Sequence, residues 1–298
     1  MLIARHPSLT VVIAGAVWGL YWWPVRQLEA LTRAGAWSTL ATLAIAVACL
    51  LPFAWQGRAG LRAASARAHI SVLAGGVSFA LYANGLLYGQ VAVVILLFYL
   101  TPVWSTLIAR LWLGRPVARW RYAALVLGLV GIAAVLRGAH GGGLPVPRAT
   151  GDWLGLASGL LWAVASTGIH GHARTRPAET NFVFCVGGLL GALLMVPLLA
   201  DAPPSLPLAA VLPALGWLLL IGGFWWAAVL TAFVAANQRL EPPRVGILLM
   251  SEVVVGAVSA ALFAHEPFGP LMACGAVLVV AAGFLETVPD LRTRRRVV

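Results

Sequence analysis

Long apolar runs, separated by short polar segments, follow one another along the whole chain. A helix needs roughly 20 apolar residues to cross the hydrocarbon core of a bilayer, and each run approaches that length. The pattern therefore predicts ten membrane-spanning helices. The predicted spans are Leu9–Gln27, Ala36–Trp55, Ile70–Tyr88, Val91–Leu113, Tyr122–Leu136, Trp153–Ile169, Thr180–Leu199, Leu212–Ala236, Val245–Ala264 and Pro270–Leu285.

The fourth run carries a proline near its middle. Residues Val91–Ala109 contain no charge, and arginines follow from Arg110. Pro102 lacks the N–H that would bond the carbonyl of Phe98, and an open backbone group is costly in lipid. We therefore expect a kink or gating element at Thr101 and Pro102. Such a break either lines an internal cavity, as in transporters, or is a packing kink.

The composition is that of a polytopic membrane protein. The chain is 61% hydrophobic and 10% charged, which is more apolar surface than a soluble domain needs. The net charge of +11 comes from arginine alone, because no lysine occurs. These arginines lie between apolar spans, so topology explains them better than nucleic-acid binding does. The three cysteines lie inside apolar runs without CxxC spacing, so we expect no disulfide framework, zinc site or cofactor.

The arginines predict the orientation of the chain. With the N-terminus in the cytoplasm, 16 arginines fall on the inner side and four on the outer side, which agrees with the positive-inside rule. The outer arginines are Arg26, Arg33, Arg137 and Arg148. We therefore predict a multi-pass protein of the bacterial inner membrane with both termini cytoplasmic. Its surroundings are membrane lipid, and the arginines at the C-terminus anchor it to the inner leaflet.

The two halves of the chain repeat each other weakly. Gly15–Gly19 matches Gly159–Ala163, and Ile95–Val103 matches Gly246–Val254. Each half has five spans, an odd number, so the second half is inserted upside down relative to the first. Inverted repeats are typical of secondary transporters, whose substrate site lies between them. The predicted units are a first repeat at 1–138, a linker at 139–150, a second repeat at 151–290 and a basic cytoplasmic tail at 291–298.

At these residues the chain resembles the drug/metabolite transporter superfamily, whose ten-helix members are built from two EamA repeats. The resemblance rests on the segments Thr101–Arg115 and Glu252–Glu266, and on the tryptophans Trp18 and Trp162. It implies an all-α integral membrane fold of ten helices that works by alternating access.

The resemblance also implies export of amino acids or related small metabolites. The layout is similar to that of the aromatic amino-acid exporter branch, and the threonine/homoserine branch stays open. A broad-specificity exporter of cationic or aromatic compounds is the alternative. Arg115 stands where the family has glutamate, and Val253 where it has proline. The second half is therefore expected to bend by other means, or to bend less.

Glu252 is the sharpest single candidate for chemistry. It lies eight residues into the ninth predicted span, among apolar neighbours. A carboxylate inside a span is expensive and is a functional-site hypothesis by default. It either binds a substrate ammonium group or carries a proton. The alternative is a structural glutamate that is hydrogen-bonded between helices.

Aromatic rings in the middle of spans form the second candidate set. They either line a cavity for an amphipathic substrate, through stacking and cation–π contacts, or face lipid. The predicted substrate-binding residues are Trp18, Trp22, Tyr82, Asn84, Tyr99, Trp104, Trp162, Trp226 and Glu252. A packing hydrogen bond is the alternative for Asn84. Arg26 either attracts a substrate carboxylate or extends into water, and Trp153 belongs to an interfacial belt.

The remaining motifs narrow the function class. The sequence has no P-loop, HExxH or GxSxG motif, so we expect neither ATP hydrolysis nor an enzyme. His170 and His172 form one pair, which is no metal site. Two GxxxG pairs, Gly15/Gly19 and Gly155/Gly159, favour close helix approach and are weak evidence for a dimer. We therefore predict a transporter of a small-molecule substrate, monomeric or weakly dimeric, over a receptor or a structural membrane protein.

Overall fold

The computed structural model describes residues 6–112, 114, 119–172, 175–199, 203–240, 242–264 and 266–294. Within these ranges the side chains of 109, 112, 119, 167–172, 242–243 and 286–294 are not described. Arg115 therefore lies outside the described residues, as do the side chains of His170 and His172. The same is true of part of the predicted arginine distribution and of the basic tail.

The described part of the chain is all-helical, and it contains no strand. Ten helices, α1 to α10, correspond to the ten predicted spans and confirm the predicted fold class. Their bounds are α1 Pro7–Gly19 and Trp22–Thr32; α2 Ala36–Gln56; α3 Ala66–Tyr88; α4 Val91–Phe98, Thr101–Leu107 and Ile108–Trp112; α5 Arg119–Ala139; α6 Thr150–His172; α7 Pro177–Leu199; α8 Leu208–Leu219, Leu220–Val229 and Leu230–Asn237; α9 Pro242–Leu248 and Met250–Phe263; and α10 Pro270–Arg294.

The helices differ in whether they are long and apolar enough to cross a membrane. By length and hydropathy alone, seven of the described helices can cross a membrane, and Val91–Leu107 and Pro270–Leu285 are shorter apolar helices. Several helices begin before their predicted start, and in α3 a side-chain cap is the local cause. The hydroxyl of Ser65 accepts the N–H of Ala68 at 3.2 Å, so α3 begins at Ala66 instead of Ile70.

The helices pack in pairs that cross between the two halves of the chain. α5 packs against α10 and α2 against α7, while α1 packs against α9 and α4 against α6. α3 packs against α6 and α7, and α8 packs against α1 and α2. In the repeat, α6 to α10 correspond to α1 to α5. The pair α1–α9 therefore has the counterpart α6–α4, and the pairs of α3 with α6 and α7 have as counterparts those of α8 with α1 and α2. The halves therefore form one bundle with the pairing expected of an inverted repeat.

Both GxxxG pairs serve contacts within the chain. A Cβ on Gly19 of α1 would lie 2.7 Å from the carbonyl oxygen of Glu252 on α9. A Cβ on Gly159 of α6 would lie 2.6 Å from the carbonyl oxygen of Phe98 on α4. Only glycine permits such backbone approach, which is the purpose of small-residue motifs in membranes. These glycines consequently give no support to a dimer.

α4 breaks at Tyr99 and Leu100, just before Pro102. The carbonyl of Phe98, which the proline leaves without its helical partner, accepts the hydroxyl of Thr101 at 2.7 Å. The same hydroxyl lies 3.3 Å from the carbonyl of Gly159 on α6. A side chain thus satisfies the backbone group that the break leaves open, as the membrane interior requires.

α9 breaks as well, at Leu249, without any proline. In the repeat alignment Leu249 corresponds to Phe98, so the two breaks occupy matching positions. The N–H of Glu252 bonds the carbonyl of Leu249 at 2.9 Å, an i to i+3 bond that tightens the backbone locally. The second half therefore bends by other means than the missing proline at Val253.

Candidate functional site

A cavity lies where the breaks of α4 and α9 face each other. Its volume is about 140 Å³, which suits a guest of about the size of benzene. Residues from five helices of the bundle besides α4 form its wall. The lining residues are Ala14, Trp18, Phe79, Phe98, Tyr99, Thr101, Pro102, Trp162, Leu230, Phe233, Gly246, Leu249, Met250 and Glu252.

The cavity is displaced toward one end of the bundle. Ala14 lies in the first half of α1, Phe233 near the end of α8 and Gly246 near the start of α9. These three helix ends lie on the side that the arginines predict to be cytoplasmic. We refer to the two sides below as the predicted cytoplasmic end and the predicted outer end.

Glu252 contributes the one carboxylate of the cavity wall. It is 7% exposed and accepts two tyrosine hydroxyls from the first half of the chain. The hydroxyl of Tyr82 on α3 donates to Oε1 at 2.8 Å, and that of Tyr99 on α4 donates to Oε2 at 2.9 Å. Both carboxylate oxygens are therefore hydrogen-bonded, which offsets part of the cost of burying the group.

Tyr99 also touches the break of α9. Its hydroxyl lies 2.9 Å from the carbonyl oxygen of Leu249, the residue at which that helix is interrupted. The side chain thus reaches from the break in the first repeat to the break in the second. The cavity is held together by contacts that join the two halves across this point.

An aromatic cluster forms another part of the cavity wall, and Phe79 of α3 lies at its centre. Its ring centroid is 5.5 Å from that of Trp18, 5.7 Å from Phe98 and 5.2 Å from Trp162, all in edge-to-face geometry. Such pairs stabilise one another beyond simple burial. The repeat-matched tryptophans Trp18 and Trp162 therefore contact the same phenylalanine from the two halves of the chain.

The structure brings six of the eleven predicted site residues into the cavity wall, and two more lie directly behind it. The six are Trp18, Tyr99, Thr101, Pro102, Trp162 and Glu252. Tyr82 supports Glu252 from behind through its hydroxyl. Trp226 packs edge-to-face on Trp18 at 5.5 Å, and its indole N–H donates to Tyr21.

Three predicted residues lie outside the wall. The indole N–H of Trp22 donates to the hydroxyl of Ser259 at 2.9 Å, which ties α1 to α9. The amide nitrogen of Asn84 donates to the carbonyl of Ala80 in its own helix at 2.9 Å and lies 3.6 Å from the sulfur of Met195 on α7. Trp104 is partly buried against the core.

An ion pair closes the predicted outer end. Arg26, near the end of α1, donates to Oε1 of Glu266 at 2.7 Å and to the carbonyl of Gly89 at 3.0 Å. The N–H of Val91, at the start of α4, also donates to Oε1 of Glu266, at 3.0 Å. Arg26 was expected either to attract a substrate carboxylate or to extend into water; its side chain is 31% exposed and is bonded to a residue 240 positions away.

Sequence reasoning missed Phe79, Phe233 and Glu266. Phe79 lies one helical turn before Tyr82, so the spacing of these two rings was the available signal. Phe233 sits in an apolar run without any distinguishing neighbour. Glu266 enters the sequence analysis only as the end of the segment Glu252–Glu266, and its partner Arg26 lies in the other half of the chain.

The charge of the cavity is one-sided. Among the described lining residues Glu252 is the one carboxylic acid, and no arginine or histidine lines the wall. The described residues also contain no group of three or more His, Cys, Asp or Glu that could hold a metal ion. The arrangement suits a guest that has a positive or hydrogen-bond-donating group and an apolar body.

Comparisons with known proteins agree with this architecture. The sequence profile of the EamA-like transporter family matches residues 7–137 and 149–287. One solved crystal structure is similar with a TM-score of 0.61, covering 96% of this chain and 97% of that chain at 18% identity. At that identity the likeness concerns the fold alone. The comparison with curated proteins gave no match.

Proposed function

Because this chain belongs to the EamA-like transporter family, and is therefore a multi-pass membrane transporter, we propose that it exports amino acids or related small metabolites by alternating access. We further propose that it does so across a bacterial inner membrane, with both termini in the cytoplasm. The observation that carries the proposal is a buried carboxylate, Glu252, set at the meeting point of two broken helices in an aromatic cavity.

The chemistry of the cavity supports a small amphipathic substrate. Glu252 supplies the acceptor for an ammonium group, and Trp18, Phe79 and Trp162 supply faces and edges for an apolar or aromatic body. Intramembrane carboxylates of this kind mark substrate or proton pathways. At about 140 Å³ the cavity holds no more than a small ring, so a whole amino acid requires it to widen during the cycle.

The positions of the cavity and of the ion pair Arg26–Glu266 support alternating access. The cavity lies toward the predicted cytoplasmic end, while the pair Arg26–Glu266 joins α1, α4 and the loop between α9 and α10 at the opposite end. A substrate that loads from the cytoplasm leaves only after this contact separates. The two helix breaks provide points at which the bundle can bend without leaving backbone groups open in lipid.

A second candidate function is export of cationic or aromatic compounds that lack a carboxylate. The observation that favours it is the absence of any arginine or histidine among the described lining residues. A zwitterionic amino acid would bring its own carboxylate close to Glu252 without a cationic partner, which is unfavourable at short range. An aromatic amine would not meet this repulsion.

Matched pairs of substrates separate the two functions. We would reconstitute the purified protein in vesicles and compete each of the twenty amino acids, together with phenethylamine and tyramine, against the best labelled substrate found. Stronger competition by phenylalanine than by phenethylamine supports amino-acid export, and the reverse order supports the second function. The absence of saturable flux for all these compounds would count against both.

Removing a cavity ring is expected to weaken substrate binding more than removing a ring outside it. Trp162 lines the cavity, whereas Trp153, two turns earlier on α6, is 56% exposed on the bundle surface. Trp162→Ala is therefore expected to raise the half-saturating substrate concentration roughly tenfold, since an aromatic or cation–π contact contributes about 1–2 kcal/mol. Trp153→Ala is the matched control, and equal effects of the two variants would place the substrate elsewhere.

Breaking the outer ion pair is expected to open the predicted outer end. In Arg26→Gln, Glu266 keeps only the N–H of Val91 as a partner. Loss of a charged hydrogen bond of about 1.5–3 kcal/mol would raise outer access roughly tenfold or more. A cysteine at Ser259, which is buried and contacts Trp22 of α1, reports this through its labelling rate with a membrane-impermeant thiol reagent in a chain whose three native cysteines are replaced. Arg33→Gln, at an exposed arginine of the same end, is the control, and equal labelling rates would contradict the assignment.

A further inference from the structure

The hydroxyl of Tyr99 faces two acceptors but has only one proton to donate. One acceptor is Oε2 of Glu252, and the other is the carbonyl oxygen of Leu249, each 2.9 Å away. At any moment the hydroxyl donates to one of them. Which one it chooses depends on whether Glu252 carries a proton.

The ionised and neutral carboxyl groups make opposite demands on Tyr99. An ionised Glu252 is acceptor-only, so both Tyr82 and Tyr99 donate to it. A neutral Glu252 has a proton of its own, which it must donate to one of the two tyrosine oxygens. The tyrosine that receives this proton has to turn its own hydroxyl hydrogen toward another acceptor.

Only Tyr99 has such an acceptor among the described contacts. Tyr82 is 1% exposed, and its hydroxyl bonds Glu252 alone, so accepting from Glu252 would leave its own proton buried without a partner. Tyr99 can accept from Oε2 and donate to the carbonyl of Leu249 instead. Since a buried donor without a partner is costly, the proton of neutral Glu252 belongs on Oε2, facing Tyr99.

We propose that Tyr99 is a positioning residue that passes the protonation state of Glu252 to the break in α9. When a proton binds Oε2 of Glu252, the Tyr99 hydrogen moves from that oxygen to the carbonyl of Leu249. No covalent bond other than the new O–H forms or breaks. In the neutral state Tyr99 makes two hydrogen bonds to α9, one with Glu252 and one with Leu249. In the ionised state it makes one, to Glu252.

The surroundings of Glu252 support this assignment. The titratable groups that face it are Tyr82 from α3 and Tyr99 from α4. α1 approaches its backbone with Gly15 and Gly19, and α6 and α8 contribute apolar and aromatic lining to the cavity. No arginine or histidine lies in the described wall, so no other side chain there offers Glu252 a competing charge.

The inference rests on the proposed role of Glu252 in transport, and it states which protonation state of Glu252 favours which conformation. Protonation of Glu252 is expected to favour the conformation seen here, with the two breaks bridged. Ionisation releases the carbonyl of Leu249 and allows α4 and α9 to separate.

The test compares Tyr99→Phe with Tyr82→Phe, its matched control, because both remove one hydroxyl from the same carboxylate. Spin labels replace the exposed Arg110 on α4 and Arg244 on α9 in the full chain, after the three cysteines are replaced, and the protein is placed in lipid nanodiscs. Interspin distances are measured from about pH 5 to about pH 9.

We expect the unsubstituted chain and Tyr82→Phe to shift between two distance populations with pH, the shorter one being favoured at low pH. A roughly tenfold change in their ratio is expected across the range. Tyr99→Phe, although folded and monodisperse, is expected to keep one pH-independent ratio. An equal pH response in Tyr99→Phe and Tyr82→Phe would overturn the inference.

A third variant separates this inference from the proposed function. Glu252→Gln is expected to lose the pH response of the distances together with normal transport. If Glu252→Gln loses the response but Tyr99→Phe keeps it, only the role of Tyr99 fails. If Glu252→Gln transports with an unchanged pH profile, the role of Glu252 in the proposed function fails, whatever Tyr99 does.

Discussion

Replacing Glu252 by glutamine is expected to lower transport at least tenfold and to flatten its dependence on pH. Glutamine has nearly the same shape and can still accept a tyrosine hydroxyl, but it never carries a charge. A charged hydrogen bond to a substrate ammonium contributes about 1.5–3 kcal/mol, which corresponds to roughly tenfold to a hundredfold in affinity. Initial flux into vesicles, measured across pH, gives both effects in one experiment.

A second glutamate, at the end of α1, provides the control for this variant. Glu29 is near the outer end of α1, where it accepts the N–H of Gly35 at 2.8 Å and lies outside the cavity wall. Glu29→Gln removes a carboxylate of the same kind and is expected to leave the pH profile in place. Flux by Glu252→Gln that rises and falls with pH as before would assign Glu252 to structure.

Replacing Gly76 by leucine is expected to prevent folding of the bundle. Gly76 lies where α3 crosses α7, and a Cβ there would overlap the carbonyl oxygen of Phe184 and lie 2.6 Å from the nitrogen of Gly188. These neighbours are backbone atoms, which cannot rotate away as a side chain can. Overpacking of a flexible core costs about 1–3 kcal/mol, and a clash between two backbones exceeds that.

The measurement for Gly76→Leu is recovery of monodisperse protein from detergent extracts, followed by thermal unfolding of whatever is recovered. Gly216→Leu on α8 is the matched control, because nothing lies within 4 Å of a Cβ there and the position is exposed on the bundle surface. Leucine also suits a helix better than glycine does. Normal recovery and stability of Gly76→Leu would show that α3 and α7 do not cross as described.

The two helix breaks show which structural features the local sequence can predict and which it cannot. The break in α4 was predictable, because Pro102 removes a donor and the carbonyl of Phe98 must find another, which Thr101 supplies. The break in α9 has no such marker, and the valine at 253 suggested a weaker bend. The helix is interrupted at Leu249 nonetheless, in a segment that packs against α1 and α4.

The candidate site shows the same division. Glu252 stood out because a carboxylate is rare in an apolar run, and the repeat pointed to Trp18 and Trp162. Which rings face inward was not readable from the sequence, because Trp22 and Trp104 lie in predicted spans just as Trp18 does. The structure turns these two away from the cavity.

Local properties of the chain were thus enough to predict the ten helices and their inverted arrangement, and to single out Glu252 as a rare carboxylate in an apolar span. Run length, arginine placement and the odd number of spans in each half express the membrane's own constraints, which act on each segment separately. The partners of Glu252 lie 170 and 153 positions away, and Arg26 pairs across 240. Such contacts depend on how whole helices pack against one another. The tertiary structure therefore decided them, and no local property of the sequence could have predicted them.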